Sequence, residues 1–173
     1  IGNISKKNII QIGTVVFRSD ASVRIGSGHI MRCLVLADAL KMRGWNTLFI
    51  SRELPGNLFS LIKKKSHILV KLPSIDYYLH GELNHNDYLA NLGVTWEQDA
   101  KETTAAIQSL AVKPDWLIVD HYSLHRGWES RLRAFVKKIF VIDDLAENTH
   151  DCDYLLNQDY LPCDVEIYDN LIP

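Results

Sequence analysis

The feature that most constrains what this chain can fold into is a recurrence. Short β-branched and aromatic runs alternate with longer stretches of helical spacing. The runs are "TVVFRSD" (14–20), "NTLFIS" (46–51), "HILVKL" (67–72), "DWLIVD" (115–120), "KIFVIDD" (138–144) and "DYLLN" (153–157). Each is short, apolar and bounded by polar residues, the pattern of a buried strand. Between them the spacing predicts helices. The first begins near Ser27 to His29, carries Ile30, Leu34, Ala37 and Leu40 on one face, and stops at Gly44. Others are predicted at 57–65, 97–110 and 125–136, while 73–91 reads as a loop. Strand, helix, strand repetition needs crossover connections, which join parallel strands. The expected fold class is therefore α/β: an open, mainly parallel, Rossmann-like sheet with helices on both faces.

A length of 173 residues suits one such domain, with no disulfide or metal required to hold it together. We assign 1–13 to an extension and 14–161 to the Rossmann-like domain; after Pro162 no further element is convincing. The net charge of -2, from 19 basic and 21 acidic residues, is dispersed, so neither nucleic acid nor an anionic membrane is an expected partner. Arg32 and Asp38 break the most apolar helix well short of the roughly 20 residues a membrane span needs. Cys33, Cys152 and Cys163 form neither a CxxC pair nor an even disulfide framework, which points to a reducing, cytoplasmic setting.

In sheets of this kind the loops after the carboxyl ends of the strands share one rim, and ligands bind there. The sequence places Arg18 and Asp20, then Gly26, Gly28 and His29, after the first strand. Asp120, His121 and Tyr122 follow the fourth, Asp143 and Asp144 the fifth, and Asn157 to Asp159 the last. Gly26 and Gly28 allow close backbone approach, and the helix turn after them offers free N–H groups to an anion. The "GSGH" run has neither GxGxxG spacing nor a following GKS or GKT. His29 can serve as a base, because imidazole accepts a proton near neutral pH, or as a structural group bonded to a strand-end carboxylate. Asp120 can fix an imidazole or accept from a ligand hydroxyl; Tyr122 can donate to a leaving oxygen, orient a sugar, or pack on the next helix. Asp143 and Asp144 can orient His29 or cap a turn. Arg18 and Arg32 can meet an anion or pair with Asp20 and Asp38. No HExxH or facial-triad spacing supports a metal, Cys33 sits among apolar residues, and Ser123 lacks a GxSxG elbow.

Three longer blocks carry a family resemblance. "FRSDASVRIGSGHIMRCLVLADAL" (17–40) resembles the amino-terminal signature of the nucleotide-sugar hydrolases of the pseudaminic acid pathway and of related spore-coat polysaccharide proteins. "VDHYSLHRGWESRL" (119–132) and "VIDDLAENTHDCDYLLNQDY" (141–160) resemble that family's next two blocks, so the likeness runs from Val16 onward. It implies a two-domain, GT-B-like protein that binds a UDP-activated diacetamido sugar between its halves. The implied reaction is hydrolysis of UDP-2,4-diacetamido-2,4,6-trideoxy-β-L-altropyranose to UDP and the free sugar, with inversion and with no metal or other cofactor. His29 is then the base that activates water, Tyr122 the active-site tyrosine, and Gly26 and Gly28 shape the loop. Arg18, Asp20, Asp120, Asp143, Asp144 and Asn157 complete the expected substrate-binding set. Where the family reads "NQN", this chain reads "NQD", with a carboxylate at Asp159. The resemblance also implies a carboxyl-terminal nucleotide-binding domain beyond Pro173, toward which 162–173 would be a linker, and without which the piece would be inactive. Two alternatives stand beside hydrolysis: a GT-B-like glycosyltransferase domain of surface polysaccharide synthesis, with a saccharide acceptor in place of water, or a noncatalytic sugar-nucleotide binding domain.

Overall fold

The computed structural model describes residues 11–74, 91–159 and 167–173. Strands β1 (Thr14–Ser19), β2 (Asn46–Arg52), β3 (Ile68–Leu72), β4 (Trp116–Asp120), β5 (Lys138–Ile142) and β6 (Tyr154–Leu156) form one sheet in the order β3-β2-β1-β4-β5-β6. Every neighbouring pair is parallel. Helices α1 (Gly28–Met42), α2 (Phe59–Lys64), α3 (Trp96–Gln108) and α4 (Arg126–Leu132) provide the crossovers, and a 3-10 turn follows at Arg133–Phe135. The expected Rossmann-like α/β class is what the chain adopts.

Alternation along the strands sorts the core into two layers. Val15, Phe17, Phe49, Ile118 and Ile142 pack against Ile30, Leu34 and Ala37 of α1 and against Phe59 and Ile62 of α2. Val16, Leu48, Leu117, Val119 and Val141 face the other way, onto Ala106 and Ile107 of α3 and Trp128 and Leu132 of α4. Phe17 and Phe49 stack with centroids 4.8 Å apart, each side chain contributing about 2–3 kcal/mol through burial. Helix ends follow local chemistry. Gly44, at φ 88°, ends α1 in the left-handed region, and Thr95 caps α3 by accepting from the Gln98 N–H at 3.2 Å. The long amphipathic segment at 125–136 divides at Leu132, where the α-helix tightens into the 3-10 turn.

Segment 167–173 packs back on the domain. The Tyr168 hydroxyl donates to the Asp143 carbonyl at 2.8 Å, and the His150 N–H donates to the Leu171 carbonyl at 2.7 Å. Residues 1–10 of the expected 1–13 extension, most of the 73–91 loop, and 160–166, with Cys163 and the start of the expected 162–173 linker, lie outside the described residues. Among the described residues no helix is long and apolar enough to cross a membrane. The order of the strands reverses between β1 and β4, so the crevice beyond their carboxyl ends is where a ligand would be expected to bind.

Candidate functional site

The loop between β1 and α1 is pinned by its own backbone. Ser22 and Gly26 form an antiparallel bridge, with the Gly26 N–H donating to the Ser22 carbonyl at 2.9 Å. The Ser22 hydroxyl accepts from the N–H groups of Arg24 and Ile25, each at 3.2 Å. Gly26 closes this turn at φ +76°, a conformation costly for any residue with a Cβ. Gly28 opens α1, and a Cβ built there meets nothing within 4 Å. Ser27, at the N-cap, makes no side-chain capping bond, so the first turn of α1 keeps donors available.

His29 follows at once and reaches across the switch point. Its Nδ1 lies 2.6 Å from Oδ1 of Asp120, the last residue of β4, whose side chain is fully buried. Burial alone would raise the Asp120 carboxyl, but hydrogen bonds from Arg32 and His29 outweigh it and hold the group below the usual carboxylate range. Asp120 is thus an anion, and Nδ1 is the nitrogen that carries the proton. The lone pair is left on Nε2, which has no hydrogen-bond partner among the described residues. His29 lines an open hollow of about 550 Å³ together with Gly28, Arg32, Tyr122, Asp144 and Gln158, with Ile25, Met31 and Val35 as an apolar wall.

Tyr122 stands edge-on to His29, centroids 4.6 Å apart at 79°. Its hydroxyl donates to Oδ1 of Asp144 at 2.5 Å. Burial and that carboxylate push the hydroxyl up to about 12, so Tyr122 keeps its proton, directs it at Asp144, and faces a ligand with its oxygen as an acceptor. Arg32 donates to Asp120 through Nε and Nη2 and to Asp144 through Nη1.

The remaining expected residues are placed differently. Arg18 and Asp20 are fully buried and paired at 2.8 Å. Arg18 also donates to Asp99 of α3 at 3.1 and 2.5 Å, while Asp20 accepts from the Ser51 hydroxyl at 3.1 Å and the Arg52 N–H at 2.7 Å. They belong to a charged core on the far side of the sheet from α1 and do not line the hollow. Asp143 caps its own turn, accepting from the N–H groups of Leu145 and Ala146 at 3.3 and 3.0 Å. Asn157 donates to the Tyr168 hydroxyl at 3.2 Å and accepts from the Asp159 N–H at 2.8 Å. His121 is buried, its ring brought down to about 4 mainly by desolvation against the pull of Asp20, and its Nδ1 accepts from the Ser123 N–H. Among the described residues no three His, Cys, Asp or Glu side chains converge to hold a metal. Arg32, expected to meet an anion or to pair with Asp38, instead binds Asp120 and Asp144, while Asp38 pairs with Lys65 and His67; Gln158, from the rim run 157–159, also lines the hollow. For Arg32 the available signal was its position three residues after His29 on the same helix face.

No protein-family profile and no curated protein sequence matches the chain. Its fold does resemble solved structures. One is TcCGT1 in complex with UDP, with a TM-score of 0.53 and 15% identity, covering 75% of this chain and 28% of that one. Another is Phytolacca americana UGT2 complexed with UDP-2fluoro-glucose and pterostilbene, with a TM-score of 0.52 and 16% identity, covering 77% and 30%. The chain spans less than a third of the length of either. These likenesses correct the reading drawn from the three sequence blocks. The first of these structures holds UDP and the second a UDP-linked sugar together with pterostilbene, and neither likeness supports the pseudaminic acid or spore-coat reading. The expected hydrolysis of a UDP-diacetamido sugar to UDP and the free sugar is therefore not borne out. The chain has the Rossmann-like fold of the amino-terminal half of a GT-B-like protein.

Proposed function

We propose that this chain is the amino-terminal half of a GT-B-like glycosyltransferase, and that it activates the acceptor for attack on a UDP-sugar. The observation that carries the reading is the His29–Asp120 pair, 2.6 Å apart across the switch point and opening on the hollow. With Nδ1–H held by an anion, Nε2 is oriented to take a proton from an acceptor hydroxyl. The oxygen then attacks the anomeric carbon as the bond to UDP breaks. The proton rests on His29, where Asp120 stabilises the imidazolium, and the departing charge spreads over the diphosphate. One displacement with no protein nucleophile inverts the anomeric centre.

The other expected residues take roles consistent with their positions. The uncapped first turn of α1 and the open space at Gly28 suit a phosphate of the donor. Tyr122, its proton committed to Asp144, accepts from a sugar hydroxyl or amide N–H. Gly26 sets the loop, Asp143 and Asn157 brace the rim, and Arg18 and Asp20 anchor the strands beneath it. Uridine recognition falls to a second, carboxyl-terminal half of the longer protein, with 162–173 leading toward it. Buried unpaired thiols at Cys33 and Cys152 fit a reducing compartment such as the cytoplasm.

The test uses the longest natural protein that contains this chain. UDP release is followed for a panel of UDP-sugars with and without hydroxylated acceptors, beside His29→Ala. The reading requires acceptor-dependent release, falling about 10²- to 10⁴-fold in the variant. Release indifferent to any acceptor, or unchanged in His29→Ala, would overturn it.

A further inference from the structure

Arg32 lies one helical turn after His29 on α1 and reaches the same rim. Its Nε and Nη2 grip the two oxygens of Asp120, each at 2.6 Å, and its Nη1 meets Asp144 at 2.9 Å. The guanidinium therefore joins the carboxylate that holds His29 to the carboxylate that holds Tyr122. Nη2 also lies 3.2 Å from His29 Nδ1. That nitrogen already gives its proton to Asp120, so the contact sets a fixed positive charge beside the imidazole.

This charge meets a difficulty that the His29–Asp120 pair has on its own. A carboxylate beside an imidazole stabilises the imidazolium, and a doubly protonated ring cannot accept a proton. The groups facing the ring are few. From the end of β4 come Asp120, His121 with its ring 6.3 Å away, and Tyr122; from α1 comes Arg32; from the end of β5 comes Asp144. Burial keeps His121 uncharged, and Tyr122 keeps its proton. Of these described groups, two anions and one cation remain, and Arg32 is the cation.

We infer that Arg32 is a positioning residue that lets Asp120 orient His29 without loading the ring with a second proton, and that it locks Tyr122 in register through Asp144. The inference rests on the reading of His29 as the base. Lysine in this place would keep the charge but not the fork that matches both oxygens of Asp120.

The discriminating measurement is the imidazole titration of His29, read by nitrogen-15 NMR on the protein without substrate, in wild type, Arg32→Gln and Arg32→Lys. In Arg32→Gln the ring takes its second proton at higher pH than in wild type, by about one unit or more. Arg32→Lys moves the same way by less, and it carries the test if the glutamine protein does not fold. A midpoint at or below the wild-type value in a folded variant overturns the inference. Because no turnover is needed, this result is independent of whether His29→Ala abolishes transfer. Where turnover is measured, the acid limb of the pH–rate profile in Arg32→Gln shifts in step with the NMR midpoint.

Discussion

Asp120 shows what a single buried side chain can do at a strand end. Its oxygens accept from His29 and Arg32, and the Cys33 thiol lies 3.5 Å away. Asp120→Asn keeps the shape but lets the amide donate where a carboxylate must accept, so His29 loses its tautomer; turnover should fall about 10²- to 10⁴-fold with the fold retained. Steady-state UDP release alongside a thermal melt checks this, and near-normal turnover would place the base elsewhere. Gly28→Ala probes the other wall. Nothing in the protein blocks the added methyl group, and alanine favours helix by up to about 1 kcal/mol, so the melting temperature should hold or rise. Affinity for UDP in the longer protein should nevertheless drop, because the methyl group enters the space given to phosphate. Unchanged UDP affinity, measured by calorimetry, would move the phosphate away from α1. The geometry of His29, Asp120 and Tyr122 was legible because strand ends in a parallel sheet share a rim, so distant residues could be brought together from sequence alone. Arg18 and Asp20 follow the same rule but face the opposite side of the sheet, and Arg18's partner Asp99 comes 81 residues later. Nothing local to β1 announces that pairing.

At the scale of elements, α3 docks through a carboxylate as well as through its apolar face. Asp99 is fully buried in the first turn and accepts from Arg18, from Arg52 at 2.8 Å, from Trp128 Nε1 at 3.0 Å and from Thr103 at 3.2 Å. It ties α3 to β1, β2 and α4. Burial opposes its charge, but the two arginines hold it well below the usual carboxylate range. Asp99→Ala would leave two guanidinium groups buried without their shared anion, a loss of about 3–5 kcal/mol. Urea unfolding of wild type and variant measures it; a loss under 1 kcal/mol would mean that water replaces the carboxylate at little cost. The elements themselves could be read closely. Strands buried on both faces stand out as apolar runs, and α1 differs from its expected span by a residue at its end. The buried carboxylate of α3 could not be read, because an acidic residue in a helix's first turn is an ordinary partner of the helix dipole.

Across the whole molecule, two buried histidines with opposite tendencies set how stability depends on pH. His121 titrates near 4 when folded against an ordinary 6.5, so the unfolded chain binds more protons between those values. Stability from this group is complete above about 6.5 and is lost as pH falls toward 4. His150 behaves inversely. Burial would lower it, but Asp143 and Glu129, the latter 2.7 Å from Nδ1, raise it to about 9. Its contribution is complete below about 6.5 and is lost as pH rises through 9. The melting temperature should therefore peak near pH 6.5, with each flank worth up to about 3 kcal/mol, and His150→Gln should flatten the alkaline side. Scanning calorimetry from pH 4 to 10 tests both parts, and a level profile from 6.5 to 9 would contradict the His150 assignment. The strand order has a further consequence during synthesis. β1 is central, but its partner β4 and the carboxylate for His29 come late; Asp120 is 91 residues beyond the histidine. At about 5–20 residues per second the ribosome needs roughly 5–18 seconds to deliver it. A nascent chain that has finished β3 can pair three strands, yet it exposes one edge of β1 and holds a histidine with nothing to orient it. Arrest in that interval leaves an exposed sheet edge and an imidazole with no carboxylate to orient it, so the proposed base is assembled only once the fold is closed.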